Sequence, residues 1–324
     1  MLELYSPQGD RGIGAAVPAQ PIWIDLLDPT EEERTRVERE FGVRVPSRGE
    51  LAEIESSSRL RVERERLYLS MPLTVEDERS DWSAPSIVPL GFILSAALLI
   101  TVRFSDVHAF RKARARFEQG ERTADSQAVF AGLAEAMVDF AADALERASG
   151  ELAAVSRQVF TRTRVPVRRP KWLNWRLRQM LTSVGAAGDK LSHTRESLLG
   201  LSRIIGFVSE TAREWLHPET QGRLQTVRAD LASLTDFEAH LSSKTQFLLD
   251  AILGFISIEQ NDTFKVLTIV SVVGIPPTLI ASMYGMNFHG MPELAWRWGY
   301  EYGLGVIALS ILVPIAWSKW RGWW

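Results

Sequence analysis

The chain has 324 residues, 46% of them hydrophobic, with 37 Lys and Arg against 40 Asp and Glu. A formal charge of −3 gives no global case for a nucleic-acid partner, and the ordinary hydrophobic content excludes a protein of many membrane spans. Cysteine is absent, which excludes a disulfide framework and a thiolate metal site and fits a reducing compartment for the bulk of the chain.

The first residues, Met1-Leu2-Glu3-Leu4-Tyr5, lack a basic region followed by an apolar core, so no signal peptide is expected. Residues 1–120 read as mixed α and β. Pro21-Ile22-Trp23-Ile24-Asp25 forms a short strand. Asp28-Pro29-Thr30 before Glu31, Glu32 and Glu33 opens a helix, with a cap residue, a proline in the first turn and acids on the positive helix end. These acids are read as a helix start in preference to a metal or catalytic cluster. Residues 59–62, 67–73, 86–94 and 98–104 carry the β-branched and aromatic pattern of strands. The apolar run Ile87–Val102 is shorter than a membrane span and contains Pro89 and Gly91, so it reads as a buried hairpin of a soluble sheet. Helix resumes over 106–118.

From about Asp125 the pattern is helical, with apolar residues at three- and four-residue steps over 129–159 and 172–207. Between these helices, Arg162 to Arg178 holds seven Lys and Arg and two Trp, and Pro166 and Pro170 block a continuous helix. It reads as a solvated connector; nucleic-acid or lipid-headgroup binding is the sharper alternative. His217-Pro218-Glu219 starts the longest helix. Its apolar stripe runs through Leu224, Val227, Leu231, Leu234, Phe237, Leu241, Leu248, Ile252 and Phe255, at intervals that want partner helices. No proline intervenes before Pro276-Pro277, so stalk and first apolar span form one helix. From Pro218 to Tyr284 it measures about 100 Å, and copies of itself around an axis are the simplest partners.

The last 60 residues hold the apolar excess. Residues 266–284 and 298–317 are each long enough to cross about 30 Å of hydrocarbon. Lys265 precedes the first span, Lys319 and Arg321 follow the second, and the connecting loop carries only Arg297; both termini are expected on the cytoplasmic side. Trp296 and Trp298 at one end, with Trp317, Trp320, Trp323 and Trp324 at the other, suit interfacial belts. Two such helices, a loop opening on Tyr284-Gly285-Met286-Asn287-Phe288 and a large polar remainder point to ion passage.

Tyr284-Gly285-Met286-Asn287-Phe288 followed by Met291-Pro292-Glu293-Leu294 resembles the signature of the CorA magnesium transporters. Ile258-Glu259-Gln260-Asn261, Pro276-Pro277-Thr278-Leu279, Trp23-Ile24-Asp25-Leu26 and the terminal Lys319-Trp320-Arg321-Gly322-Trp323-Trp324 extend the resemblance over essentially the whole chain. It implies an α+β membrane protein: a cytosolic α/β domain, a long stalk helix continuing into a pore-lining first transmembrane helix, and a second transmembrane helix at the C-terminus. It implies a homopentamer in the inner membrane with lipid and divalent cations as partners, no nucleic acid and no cofactor. Mg²⁺ is then the substrate and a candidate regulatory ligand, binding between subunits to close the pore. The divisions expected are 1–215 for the cytosolic α/β and helical domain, 216–264 for the stalk, and 265–324 for the hairpin with its outer loop.

The resemblance places Gly285, Met286 and Asn287 at the outer mouth as selectivity filter. Mg²⁺ releases its water reluctantly, and a ring of Asn287 amides offers carbonyl oxygens to the hydration shell without a fixed charge that traps the ion. Gly285 lets the backbone turn out of the helix. By the same resemblance Asn261, Thr278 and Asp250 face the pore, and Phe264 and Leu267 follow Asn261 as an apolar gate. Two departures stand out. His289 occupies a position where many relatives have an acid, so cation attraction at a mouth holding His289 and Glu293 follows the titration of His289. The stalk acid of the regulatory site maps to Thr226, with Asp230 one turn on.

Inward movement needs no nucleotide: a divalent ion gains about 4.6 kcal/mol per 100 mV of inside-negative potential. An enzyme is not expected, since the five histidines are scattered and no nucleophile or dinucleotide motif appears. Co²⁺ and Ni²⁺ are further candidate cargoes. The alternatives are a Zn²⁺ transporter of the same superfamily, against which Met286 argues, and a non-conducting membrane-anchored sensor or scaffold.

Overall fold

A computed structural model describes residues 1–6, 11–13, 20–53, 55, 59–75, 86–118, 125–161, 170–286, 290–292 and 296–322. They fall into two compact units, Met1–Leu249 and Asp250–Trp324.

The first unit is built on a seven-stranded sheet in the order β2-β1-β3-β7-β6-β5-β4. The strands are β1 (Leu2–Tyr5), β2 (Arg11–Ile13), β3 (Trp23–Leu27), β4 (Leu60–Glu63), β5 (Arg66–Val75), β6 (Ser86–Leu94) and β7 (Leu99–Arg103). Only the β3–β7 pair among those described is parallel. The run at 87–102 is the hairpin of β6 and β7, as its proline and glycine indicate. Pro72 and Pro89 lie opposite each other in β5 and β6. Pro72 lies beyond the stretch of β5 that pairs with β4, and Pro89 beyond the stretch of β6 that pairs with β7. Each therefore occupies a length with one ladder neighbour, where a missing N–H is tolerated. The strands at Leu2–Tyr5 and Arg11–Ile13 are additions to the sequence reading.

Helix α1 (Glu31–Phe41) is capped by Thr30, whose hydroxyl accepts from the Glu33 amide while the Glu33 carboxylate accepts from the Thr30 amide. Pro29 precedes the cap instead of filling the first turn, and the Glu31–Glu33 cluster is a helix start. Gly42, at φ 60°, closes the helix in the left-handed conformation. Helix α2 (Arg48–Leu51) and α1 cover one face of the sheet, where Leu4, Ile24, Leu26, Val37, Val45, Leu51, Ile100 and Val102 are buried together.

Helix α3 (His108–Glu118) leads to α4 (Ser126–Thr161), α5 (Pro170–Thr211) and α6 (Pro218–Tyr284). α5 lies on β5, and Gly200 makes this possible: a Cβ there comes within 2.9 Å of the Met71 Cβ. Thr74 joins the same seam, its amide donating to Ser197 Oγ (2.8 Å) and its hydroxyl to the His193 carbonyl (2.7 Å). Of the expected stripe of α6, Leu224, Val227, Leu231, Leu241, Leu248 and Ile252 are buried, Leu234 and Phe255 are partly buried, and Phe237 is exposed in the single chain. α6 runs unbroken through Pro276 and Pro277, so stalk and first apolar span are one helix. Helix α7 (Gly299–Trp320) is the second apolar span.

One polar network is sealed inside the first unit. Asp25 and Arg103, each with a side chain 1% exposed, pair at 2.7 Å. Thr101 Oγ1 donates to Asp25 Oδ1 (2.8 Å), Trp23 Nε1 donates to Thr101 Oγ1 (3.0 Å), and Arg103 Nη1 reaches the Ser105 carbonyl (2.9 Å). Trp23-Ile24-Asp25-Leu26 thus anchors β3 to β7.

Candidate functional site

The second unit holds the path and filter residues expected from the sequence. Its two helices are long and apolar enough to cross a membrane. From Val266 to Tyr284, α6 carries no Asp, Glu, Lys or Arg; in α7 the charges stand near the ends, at Glu301 and Lys319.

At about 100° per residue, Asp250, Asn261, Phe264, Leu267 and Thr278 fall within an arc of about 120° on α6. All five are exposed in the single chain, Phe264 at 65%. The structure therefore brings the sequence-predicted path residues onto one face. Ser271, Ile275 and Ser282 fall on the same arc; Ile275 is a member the sequence reading passed over, although its spacing of eight from Leu267 was visible.

The hydroxyls of this span donate backwards within the helix. Thr268 Oγ1 donates to the Phe264 carbonyl (2.8 Å), Ser271 Oγ to the Leu267 carbonyl (2.9 Å), and Thr278 Oγ1 to the Gly274 carbonyl (2.7 Å). With its proton committed inward, each hydroxyl has only acceptor lone pairs left to offer. Acceptors suit the outward-pointing hydrogens of a cation's water shell.

α6 ends at Tyr284. The Gly285 amide donates to the Ala281 carbonyl (3.0 Å) and the Met286 amide to the Met283 carbonyl (3.2 Å), so the last turn tightens before the chain leaves. Among the described glycines only Gly42 and Gly322 have a left-handed φ. Gly285 thus turns without that conformation, and a Cβ there sits 3.4 Å from the Ala281 carbonyl oxygen. Asn287, His289 and Glu293 lie outside the described residues. On the far side of the loop, Trp296 meets Tyr302 edge-on at 5.9 Å, tying the loop's end to the first turn of α7.

Before the span, Lys265 pairs with Asp262 at 3.2 Å. Partial burial and the nearby Asp262 carboxylate hold the Glu259 carboxyl above its ordinary range. In the stalk, Thr226 is exposed with its hydroxyl on the Gly222 carbonyl (3.3 Å), and Asp230 is exposed. Among the described residues of one chain no group of three or more His, Asp and Glu could hold a metal.

Comparison with known proteins agrees with this arrangement. Residues 18–319 match the family model described as CorA-like Mg²⁺ transporter protein. The chain is 32% identical over 304 residues to the magnesium transport protein CorA of Pasteurella multocida, covering 93% of this chain and 92% of that one. Its fold is similar to the complete CorA magnesium transporter of Methanocaldococcus jannaschii, with a TM-score of 0.75, 16% identity, and coverage of 100% and 98%. It is also similar to the full-length CmaX protein, with a TM-score of 0.70, 16% identity, and coverage of 99% and 96%. A sheet-bearing N-terminal unit, a stalk continuous with the first span and a second span at the end are thus shared features, and the chain belongs to the CorA-like Mg²⁺ transporter family.

Proposed function

We propose that several copies of this chain enclose a pore that passes hydrated Mg²⁺ down its electrochemical gradient across the inner membrane. The observation that carries this reading is the single face of α6 on which Asp250, Asn261, Phe264, Leu267 and Thr278 align, in a helix leading without a break to Gly285-Met286-Asn287. Family membership supports the cargo.

In this reading Asn287 is the filter, and its amide carbonyls accept hydrogen bonds from the ion's water. Gly285 and Met286 set its place. Ser271 and Thr278 present acceptor oxygens along the path. Phe264 and Leu267 form the constriction that dewets when closed. Asn261 and Asp250 receive the ion below it, and Glu293 and His289 face the outer mouth. Self-association follows from a path that one exposed helix face cannot enclose; five copies is the number the resemblance implies. Both termini lie on the cytoplasmic side, where Lys265, Lys319 and Arg321 stand. Co²⁺ and Ni²⁺ pass by the same hydrated route.

The decisive measurement is Mg²⁺ uptake into proteoliposomes by Asn287→Ala. Uptake should fall at least tenfold with the oligomer intact. Unchanged uptake overturns the filter, and proton-linked Zn²⁺ movement without Mg²⁺ flux replaces the cargo.

A further inference from the structure

Residues 162–169 of the basic connector lie outside the described residues, whereas the seam between α5 and the stalk lies within them. Along the stalk part of α6, residues recur at seven-residue steps in two rows: Leu224, Leu231, Glu238 and Thr245, and Val227, Leu234, Leu241 and Leu248. These are the two core rows of a heptad seam. Every member of the first row is buried, yet Glu238 and Thr245 are polar.

Two contacts set α5 against this row. Arg195 Nη1 of α5 lies 3.5 Å from Glu238 Oε2, and a Cβ at Gly188 of α5 stands 3.5 Å from Thr245 Cγ2. The contacts are seven residues apart on both helices and run in opposite order, so α5 and α6 are antiparallel neighbours in register. Gly188 lets the backbones approach at Thr245. One heptad away, a carboxylate fills the place of an apolar core residue.

Glu238 is 1% exposed. Its Oε1 accepts from Ser242 Oγ at 2.7 Å. Its Oε2 has no hydrogen bond among the described residues, and the contact with Arg195 is too long to serve as a good one. The Arg195 side chain is 54% exposed, so the compensating charge is one that water also holds. A buried carboxylate with an unmet oxygen carries a desolvation cost. Parting the helices here returns both groups to water, whereas parting them at Leu231, Leu241 or Leu248 exposes apolar surface. The seam is therefore weakest at Glu238, and α6 is unbroken from there to Tyr284.

We propose that the α5–α6 seam parts at Glu238 when the conduction path opens, and that Glu238 is a positioning residue for transport. Its buried charge keeps the stalk separable from α5, and Arg195 holds the stalk in register while the path is closed. The inference rests on α6 lining the path and needs no particular filter residue. A carboxylate with a structural role alone predicts instead that activity follows stability.

Two experiments on the full-length protein separate these. The chain has no cysteine, so Gly188→Cys/Thr245→Cys introduces a single bridge across the seam, where a Cβ at position 188 already touches the Thr245 side chain. Mg²⁺ uptake into proteoliposomes should fall several-fold when the pair is oxidised and recover with reductant. Equal uptake in the oxidised and reduced forms, with the bridge confirmed by mass, overturns the proposal. Glu238→Leu completes the apolar row, and exchanging a buried charge pair for apolar packing is often neutral or stabilising. Its unfolding midpoint should equal or exceed the parent's while uptake falls several-fold. Unchanged uptake, or uptake and midpoint falling together, overturns the proposal. The leucine variant carries the test even if the cysteine pair fails to fold. Uptake that Asn287→Ala abolishes but the bridge leaves untouched strikes the seam and leaves the conduction path standing. A parent protein that moves no Mg²⁺ strikes the path itself and this inference with it.

Discussion

Asp25 is legible in the sequence as a strand residue, but its partners Thr101 and Arg103 are 76 and 78 residues away and only the sheet brings them together. Removing one member of a buried ion pair strands the other, at about 3–5 kcal/mol. Asp25→Ala should therefore lower the thermal unfolding midpoint strongly, while Asp25→Ala/Arg103→Met recovers part of the loss; equal midpoints for single and double variants would refute the pairing. Glu50 gives a milder, pH-dependent case. The Ser47 amide holds its carboxyl below the ordinary range, against partial burial, with help from the Ser47 hydroxyl and Arg44. A depressed carboxyl contributes stability that is present above its unfolded pKa and lost as pH falls through the folded one. Glu50→Gln should lose that contribution at neutral pH and converge with the parent protein in acid, giving a flatter acid limb that melts across a pH series would detect. The cap of α1 shows why such detail escapes a sequence. Asp28, Pro29 and Thr30 all fit a helix start, and the choice fell to Thr30 because Glu33 completes its capping box.

At the scale of elements, periodicity was informative wherever an element is long or one-sided. The hairpin of β6 and β7, the stripe of α6 and both apolar spans followed from patterning alone. β1 and β2 did not. Leu2–Tyr5 alternates but is only four residues long, and Arg11–Ile13 is three residues with a glycine at its centre, so neither is long enough for a period-two signal to stand out. Their existence is decided by β3, which accepts β1 as its antiparallel neighbour. The seam of α5 on β5 was equally hidden, since Gly200 looks like any helical glycine. A side chain there must displace the Met71 Cβ. Gly200→Val should cost about 1–3 kcal/mol through overpacking, read as a lowered unfolding midpoint, whereas Gly206→Val, with nothing within 4 Å of its Cβ, should change it far less. Similar losses at both positions would reject the close approach.

For the molecule as a whole, the candidate site was legible as a face because a helix converts sequence spacing into angle. The loop was legible only as a motif, since no periodicity constrains Asn287, His289 or Glu293. Every residue from 261 to 268 is exposed in the single chain, and a polar Asn261 on the arc needs water or a partner. Native mass measurement in mild detergent should give a multiple of 36.4 kDa; a monomer that still transports Mg²⁺ would contradict an enclosed path. Pro276 and Pro277 add a mechanical consequence. Neither has an N–H to give, so the carbonyls of Val272 and Val273 lose their intrahelical donors near the middle of the span. Hydrocarbon cannot replace those bonds, whereas water or a neighbouring helix can. The rod is thus softest at mid-depth, and motion originating in the stalk has a natural joint there at which to change the pitch of the outer half without unwinding it.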